Sequence, residues 1–197
     1  MSRVAKLKVQ DWDPELRRMT AADTGSAVEV APMQIFAHRP AIAKALAGFG
    51  MALRQSRTLS ERLVELVRLR IAYHNQCRSC MAIRYRAALA DGVDESLVCS
   101  IENPAQWQNL EPAEKAALAF ADKFANDHLS IDDATYEGLR EYFSEGQLVE
   151  LGTWVAFCVG FGRLGATWDM VEELPAEYQQ RGAQRLTPSS GNPVTVR

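Results

Sequence analysis

The sequence has 197 residues, of which 47% are apolar and 24% are charged, and its formal net charge is −3. This length and composition predict one globular domain with a sizeable core and require no second domain. Because nucleic-acid-binding proteins carry a basic surplus, the slight acidic excess argues against a nucleic-acid partner.

The N-terminal residues lack the apolar segment of a secretory signal. The longest uncharged apolar run, residues 151–162, has 12 residues, whereas a membrane-spanning helix needs about 20. We therefore expect a soluble cytoplasmic protein with no membrane partner. In that reducing compartment, four cysteines indicate redox or metal chemistry rather than a structural disulfide.

Residues 1–30 mix charges with turn-forming residues, and a short helix is expected near residues 14–22. We interpret them as an N-terminal arm on the surface or across a partner. From residue 40 to residue 54, apolar side chains recur at helical spacing, which predicts the first core helix. These apolar residues are Ile42, Leu46, Phe49 and Leu53.

Ser60 is a suitable N-cap for a second helix, whose apolar residues predict burial on most sides. Further helices are expected over residues 77–89, 94–99, 112–127, from Ser130 or Asp132 to 143, and 144–173. No segment shows the β-branched alternation of a strand, so the sequence predicts an all-α fold. The domain organisation is an arm (1–30), a helical domain (31–174) and a polar tail (175–197), disordered over its last eleven residues, 187–197.

A weak internal repeat supports helix-hairpin organisation. The string SERLVEL at residues 60–66 recurs as SEGQLVEL at residues 144–151, and each string opens a long apolar helix. Glu150 then corresponds to Glu65, whereas Gly162 falls at the position of Cys77. The second copy is expected to repeat the hairpin without its chemistry.

Cys77 and Cys80 form a Cys-x-x-Cys motif in the stretch between residues 59 and 89. Two sulfurs at this spacing can close a disulfide at a helix start, and the attacking species must be a thiolate. Arg84 lies four residues after Cys80, so on one continuous helix the two would share a face. Glu65, twelve residues before Cys77, points along its own helix toward the same turn. It is expected to accept a proton or to form an ion pair with Arg68, Arg84 or another arginine.

Arginines are concentrated around this motif. Between residues 54 and 86 the sequence has eight arginines and two acids, Glu61 and Glu65. A cationic neighbourhood would favour a thiolate and attract an anionic substrate. The alternative is that these arginines occupy solvated helix faces and inter-subunit ion pairs.

Other patterns are weaker. His74, three residues before Cys77, is a candidate proton relay, although a histidine at a helix end is more often only hydrogen-bonded. The GxGxxG string at residues 160–165 is followed by only 32 residues, too few for a dinucleotide-binding fold, so we interpret its glycines as close helix packing. No second ligand pair supports zinc, and neither a metal nor a cofactor is expected. Cys99 and Cys158 are expected to be small core residues.

At these residues the sequence resembles the AhpD-like branch of the carboxymuconolactone decarboxylase superfamily. The family pattern is a glutamate twelve positions before the first cysteine of a Cys-x-x-Cys motif, and a histidine four positions after the second cysteine. Glu65, Cys77 and Cys80 match it, whereas Arg84 stands in the histidine position and Ser79 replaces a histidine that some members carry between the cysteines. The resemblance covers roughly residues 40–174.

This resemblance implies an AhpD-like helical bundle that assembles as a homo-oligomer (dimer, trimer or hexamer). It also implies thiol-dependent reduction of hydroperoxides, in which Cys80 becomes a sulfenic acid and Cys77 resolves it. In the family, the glutamate and the histidine relay protons. Arg84 is permanently charged, so a relay through this position cannot work in the same way.

The first hypothesis is therefore an AhpD-like peroxidase or disulfide reductase. In it Cys80 attacks, Cys77 resolves, Glu65 accepts a proton and Arg84 stabilises the thiolate or the oxyanion. Its partners would be a small hydroperoxide or anionic substrate and a thiol reductant protein. The alternatives are a decarboxylase-type lyase acting on an anionic small molecule and a redox-sensing helical oligomer without turnover.

Overall fold

The computed structural model describes residues 1–180 and 185–197, and α-helices dominate this part of the chain, which confirms the all-α prediction. Short 3-10 helices cover Val9–Asp11, Pro104–Asn109 and His128–Ser130. The other elements are α1 (Pro14–Met19), α2 (Ala27–Phe36), α3 (Pro40–Gln55), α4 (Glu61–Asn75), α5 (Arg78–Ala82), β1 (Ile83–Tyr85), α6 (Arg86–Ala90), α7 (Glu95–Ser100), α8 (Pro112–Asn126), α9 (Asp133–Arg140), α10 (Glu145–Trp168), α11 (Ala176–Gln179) and β2 (Val194–Val196).

Helix α4 is the centre of the molecule. Ser60 caps it as predicted, because its side chain accepts a hydrogen bond from the Leu63 N–H. Residues 63–72 are all buried, and the apolar ones among them pack against α8 and α10. Burial of each large aliphatic side chain stabilises the fold by about 1.5–3 kcal/mol. The same stretch also carries three charged side chains into the interior: Glu65, Arg68 and Arg70.

Helices α8, α9 and α10 begin close to their predicted positions. Pro112 occupies the first turn of α8, Asp132 caps α9, and Ser144 forms a capping box with Gln147 at the start of α10. Helix α10 ends at Trp168, five residues before the predicted end at 173. The chain leaves it through Asp169, which has a left-handed backbone with φ of 54°.

Helix α10 is long and apolar enough to cross a membrane by length and composition, and 22% of its most apolar window is buried. This is weak evidence for a span, because the core helix of a soluble protein passes the same test. One face of α10 lies in the main core through Leu148, Leu151, Val155 and Val159.

The predicted continuous helix over residues 77–89 is wrong. The chain forms α5, then the extended strand β1, then α6, and Ile83 has φ of −99° and ψ of 151°. Strand β1 pairs in parallel with β2, with Ile83 opposite Val194 and Tyr85 opposite Val196. Arg84 therefore does not lie one helical turn above Cys80, and the argument from a shared helix face fails.

The predicted disorder of residues 187–197 is also wrong. Strand β2 lies in this segment, Val196 is 4% exposed, and the Arg197 main-chain N–H donates to Glu29. Tyr178, earlier in the tail, is fully buried and donates to the Pro188 carbonyl. Residues 181–184 of the predicted tail lie outside the described part. The proposed domain boundaries remain predictions.

The N-terminal arm forms a small core of its own against α2 and α3. Trp12, Leu16 and Ala22 are buried there with Ala37 and Ala43. This separate core explains how residues 1–30, which have mixed charge, are ordered although they do not contribute to the main core.

The internal repeat corresponds to α4 and α10, each capped by its serine. Glu150 of the second copy accepts hydrogen bonds from the main-chain and side-chain groups of Thr58, just ahead of α4. Glu65 of the first copy instead forms a buried ion pair. Glu65 and Glu150, which correspond in the repeat, therefore have different partners.

Candidate active site

The turn that presents the cysteines is made by Gln76. This residue ends α4 in a left-handed conformation with φ of 49°, and its side-chain amide donates to the Tyr73 carbonyl. The same side chain binds both the N–H and the C=O of Leu186 in the tail. The Cys77 N–H donates back to the Ala72 carbonyl, so Cys77 becomes the N-cap of α5.

Cys77 and Cys80 are joined by a disulfide, with Cα atoms 5.2 Å apart. Cys77 is fully buried, whereas Cys80 is partly exposed and packs against the apolar cluster that contains Val171 and Leu174. The Ser79 hydroxyl lies 3.5 Å from the Cys77 sulfur. Of the two residues, Cys80 is the one that solvent and a small substrate can reach.

Two glycines of the GxGxxG string face this turn, and one of them, Gly162, allows α10 to approach it closely. A Cβ on Gly162 would lie 2.5 Å from the Asn75 side-chain nitrogen, and one on Gly165 would lie 3.8 Å from the Cys77 sulfur. A Cβ on Gly160 would have no such neighbour within 4 Å. The interpretation as close helix packing therefore applies to Gly162, whereas a Cβ on Gly165 would make an ordinary van der Waals contact.

Glu65 is paired with Arg68, one of the alternatives that the sequence left open. The two side chains form a bidentate ion pair at 2.7 and 2.8 Å, and both are buried. The other guanidinium hydrogens go to the carbonyls of Cys80 at 2.6 Å and Ile83 at 3.0 Å. Glu65 therefore acts on the cysteine turn through Arg68, because both of its oxygens are engaged by this arginine.

Arg84 does not serve the sulfurs, contrary to the sequence-based hypothesis. Its side chain is 1% exposed and forms a bidentate pair with Glu95, with both distances 2.9 Å. Its remaining hydrogens are donated to the carbonyls of Met81, Ile83 and Pro188. All five donors are used, so Arg84 fixes the tail to the segment after α5 and has none left for a thiolate.

His74 is also directed elsewhere. Its Nε2 donates to Asp122 at 2.6 Å, and its Nδ1 accepts from Asn126 at 3.4 Å. Asp122 also accepts two hydrogen bonds from Arg70. The expected relay role has no support in this geometry, since both ring nitrogens are engaged between α4 and α8.

The cationic neighbourhood is largely neutralised. Five of the eight arginines between residues 54 and 86 lie against carboxylates: Arg57 with Glu61, Arg62 with Glu114, Arg68 with Glu65, Arg70 with Asp122, and Arg84 with Glu95. Arg62 and Arg70 join α4 to α8, whereas Arg57 and Arg68 pair with carboxylates three or four residues away. The predicted cationic neighbourhood of the cysteines therefore rests on fewer than the eight arginines counted in the sequence.

A cavity of about 170 Å³ adjoins the cysteine turn on its α10 side. It shares Ser79 and Gly165 with the surroundings of Cys77. The residues around it are Arg3, Gln76, Arg78, Ser79, Gly165, Ala166, Asp169, Met170 and Val171. Neither Arg3 nor Arg78 was singled out from the sequence, although the position of Arg78 inside the Cys-x-x-Cys motif was a signal available there.

Of the other two cysteines, Cys158 packs against the main core as expected, whereas Cys99 does not. Cys99 is exposed, so its prediction as a core residue is wrong. Cys158 is partly buried, and burial raises the pKa of its thiol to about 12. Neither is bonded to a partner sulfur, which makes both useful controls. No group of three or more His, Cys, Asp or Glu side chains in residues 1–180 and 185–197 is arranged to hold a metal ion.

Residues 40–123 match the Carboxymuconolactone decarboxylase family. Over 106 residues, 53% of this chain, the sequence is 38% identical to the uncharacterized proteins Rv2313c and MT2376 from two strains of Mycobacterium tuberculosis. The match spans 37% of the length of each of these relatives.

The fold is similar to a crystal structure described as an alkylhydroperoxidase AhpD core, an uncharacterized peroxidase-related protein from Ralstonia eutropha JMP134. The TM-score is 0.67 with 22% identity, over 90% of this chain and 94% of that one. At this identity the similarity establishes the fold and leaves the activity to be argued from the site. The family match over residues 40–123 and the similar fold support the resemblance of this chain to the AhpD-like branch of the carboxymuconolactone decarboxylase superfamily.

Proposed function

We propose that this protein is a thiol-dependent oxidoreductase that reduces hydroperoxides through Cys80 and Cys77. The observation that carries the proposal is the asymmetry of the pair: the two sulfurs are within bonding distance, Cys77 is sealed, and Cys80 is partly exposed. An attacking thiol must be reached by its substrate, whereas a resolving thiol needs to reach only its neighbour.

In the first step, the Cys80 thiolate attacks one oxygen of the hydroperoxide. The S–O bond forms as the O–O bond breaks, the alkoxide takes a proton from solvent, and Cys80 becomes a sulfenic acid. In the second step, the Cys77 thiolate attacks the Cys80 sulfur, and hydroxide leaves and is protonated to water. The hydroperoxide is reduced to an alcohol, and the dithiol is oxidised by two electrons to the disulfide.

The cycle requires a reductant, for which we propose a thiol-bearing partner protein. Its dithiol attacks the Cys77–Cys80 disulfide, forms a mixed disulfide and is itself oxidised as both cysteines regain their protons. The partial exposure of Cys80 favours attack at that sulfur.

Glu65 and Arg68 are proposed as positioning residues. Arg68 donates to the Cys80 carbonyl, and Glu65 holds Arg68 in place. The pair fixes the end of α5 and brings a guanidinium close to the main chain of Cys80. A positive charge near a thiol lowers its pKa, which favours the thiolate.

The proposal predicts the stoichiometry of oxidation. When the reduced protein is mixed with cumene hydroperoxide, two thiols per monomer should be lost and mass spectrometry should find a Cys77–Cys80 disulfide. A variant in which Cys99 and Cys158 are both serine should behave identically, because those thiols take no part. Recovery of free thiols at both Cys77 and Cys80 after the hydroperoxide treatment would reject the proposal.

A second candidate is a lyase of the decarboxylase type, favoured by the family match over residues 40–123. Such a reaction on an anionic small molecule needs no dithiol. Turnover of a carboxymuconolactone that persists in Cys80→Ser would support it, whereas loss of that turnover would not. A dithiol that oxidises once and that no protein reductant restores would instead favour the redox-sensing alternative.

We further propose that the protein works in the cytoplasm as a homo-oligomer. A reducing compartment supplies the thiol reductant that the cycle needs. The oligomer is supported by the apolar side chains that α3 and α10 leave exposed, among them Ile42, Phe49, Phe161 and Leu164.

A further inference from the structure

Arg78 differs from the paired arginines around it. Arg68, Arg70 and Arg84 each form a bidentate pair with a carboxylate. The Nη1 atom of Arg78 is buried and has no hydrogen-bond partner in residues 1–180 and 185–197. Buried donors in native structures are normally satisfied by an acceptor, an ion or ordered water, so this nitrogen is available to a ligand in the cavity.

The side chain of Arg78 is part of the wall of the 170 Å³ cavity beside the cysteine turn. A second guanidinium, that of Arg3, lines the same cavity, and among the described residues around it one, Asp169, is acidic. The two cations therefore outnumber the one carboxylate. The cavity is polar and positively biased, which suits an anion.

The C-terminal end of α10 also borders the cavity, and free carbonyls there would repel an anion. Arg3 reduces this repulsion. Its main-chain N–H donates to the Trp168 carbonyl, and its Nη1 donates to the Thr167 carbonyl, both at 2.8 Å.

The cavity lies against the reacting pair. Ser79 and Gly165 both line the cavity. The Ser79 hydroxyl lies 3.5 Å from the Cys77 sulfur, and a Cβ on Gly165 would lie 3.8 Å from the same sulfur. Val171 belongs both to the cavity wall and to the apolar cluster against which Cys80 packs. The cavity wall therefore includes residues that adjoin each of the two cysteines, although neither cysteine lines it.

We propose that this cavity binds the carboxylate of the small molecule that reacts with the dithiol, and that Arg78 is the residue that selects for it. Guanidinium and carboxylate match in geometry and charge. The cavity is smaller than the roughly 300 Å³ of a drug-sized site, so it holds the anionic end while the rest of the molecule extends toward Cys80. The identity of the reacting molecule rests on the proposed function, whereas the binding of a carboxylate in the cavity does not.

Binding is tested without turnover. Ligand-observed NMR titrations of the oxidised protein compare hexanoate with its uncharged analogue hexanamide. Hexanoate should bind more tightly than hexanamide, and Arg78→Gln should weaken hexanoate binding by about tenfold, the equivalent of one charge-assisted hydrogen bond. Arg78→Lys should retain part of the affinity. Arg86→Gln is the matched control, since Arg86 is exposed and does not line the cavity.

Equal affinities for hexanoate and hexanamide, or equal hexanoate binding by the parent and Arg78→Gln, would overturn the proposal. Far-ultraviolet circular dichroism of each variant establishes that it is folded, and Arg78→Lys retains the charge if Arg78→Gln does not fold.

The source of the carboxylate is distinguished by two matched pairs of reactants. A fatty-acid hydroperoxide is compared with its methyl ester, and an aromatic disulfide bearing carboxylates with its uncharged pyridyl counterpart. For each pair, the rate of reaction with the charged member is divided by that with the uncharged member. A ratio that falls in Arg78→Gln for the hydroperoxides identifies the substrate as a hydroperoxide, and one that falls for the disulfides identifies it as a disulfide. Ratios that are unchanged in both pairs reject the role of Arg78. If no hydroperoxide oxidises the dithiol while hexanoate still binds through Arg78, the peroxidase proposal fails and the anion site stands.

Discussion

At the scale of single residues, charged side chains in the interior of this protein organise the cysteine turn. Glu65 and Arg68 are 2% and 6% exposed, and together they engage one another and two main-chain carbonyls. Removing one member of a buried ion pair leaves the other charge without compensation. The position of Cys80 therefore depends on a pair that does not contact its sulfur.

Glu65→Gln should lower the free energy of unfolding by about 3 kcal/mol or more, because Arg68 would remain charged and buried. Urea denaturation followed by circular dichroism measures the loss. Glu61→Gln is the matched control, since the Arg57–Glu61 pair lies nearer the surface, and such pairs contribute about 0–1 kcal/mol. Equal losses for the two variants would contradict the structural role of Glu65.

At the scale of elements, α4 and α8 are joined by the cluster of Arg70, His74 and Asp122. Desolvation tends to raise the pKa of the Asp122 carboxyl, but hydrogen bonds from His74 and Arg70 outweigh it and lower the pKa below its usual value. A carboxylate with a depressed folded-state pKa stabilises the fold above its unfolded pKa of about 3.9. That stabilisation is lost as the pH falls through the lower, folded-state value.

Asp122→Asn should therefore destabilise the protein most near neutral pH, by about 2 kcal/mol. The difference from the parent should shrink as the pH falls below about 4, because the unfolded parent takes up a proton on Asp122 there while the folded parent still holds the carboxylate charged. Urea unfolding at pH 7, 5 and 3.5 gives the comparison, with the exposed Asp133→Asn as control. A deficit that stays constant across this range would show that the charge of Asp122 is not the cause.

Helix starts were predictable because local side chains determine them. Ser60, Asp132 and Ser144 cap their helices where the sequence placed them. The break between α5 and α6 was not predictable in the same way. It depends on strand β2, more than 100 residues away, and on hydrogen bonds from Arg84 to Glu95 and Pro188. Long-range contacts of this kind leave no periodic signal.

In the candidate site, too, the local features were predictable from the sequence and the long-range contacts were not. Spacing predicted that Cys77 and Cys80 can bond, and the family pattern selected Glu65. The partners of Arg84 and His74 could not be predicted, because each bonds a residue distant in sequence: Glu95 in one case and Asp122 in the other. The polar composition of residues 187–197 predicted disorder because it gave no sign of their pairing with β1.

At the scale of the whole molecule, α3 and α10 leave an apolar surface exposed. Ile42, Phe49 and Phe161 are 51%, 43% and 40% exposed, and Phe157 links the last two through ring contacts of 5.8 and 4.9 Å. A contiguous exposed apolar surface of this kind marks an interaction site. Because α10 belongs to this surface, the second copy proposed above would cover the apolar side chains that α10 exposes.

The homo-oligomer has a direct test. Light scattering coupled to size exclusion should give a mass that is a multiple of the 21.9 kDa of one chain. Phe161→Glu should shift the protein toward the monomer, because it places a charge in the apolar surface. Leu129→Glu is the control, since Leu129 is 86% exposed outside this surface. A parent protein that elutes as a monomer would exclude the proposed assembly.

The most direct test of the central claim separates the two cysteines. In Cys77→Ser, treatment with cumene hydroperoxide should leave a sulfenic acid on Cys80 that dimedone traps, because no resolving thiol is present. In Cys80→Ser, the buried Cys77 should remain a free thiol under the same treatment. Mass spectrometry of the labelled peptide reads both outcomes. Dimedone on Cys77 in the Cys80→Ser variant, with none on Cys80 in the Cys77→Ser variant, would contradict the assignment of Cys80 as the attacking residue.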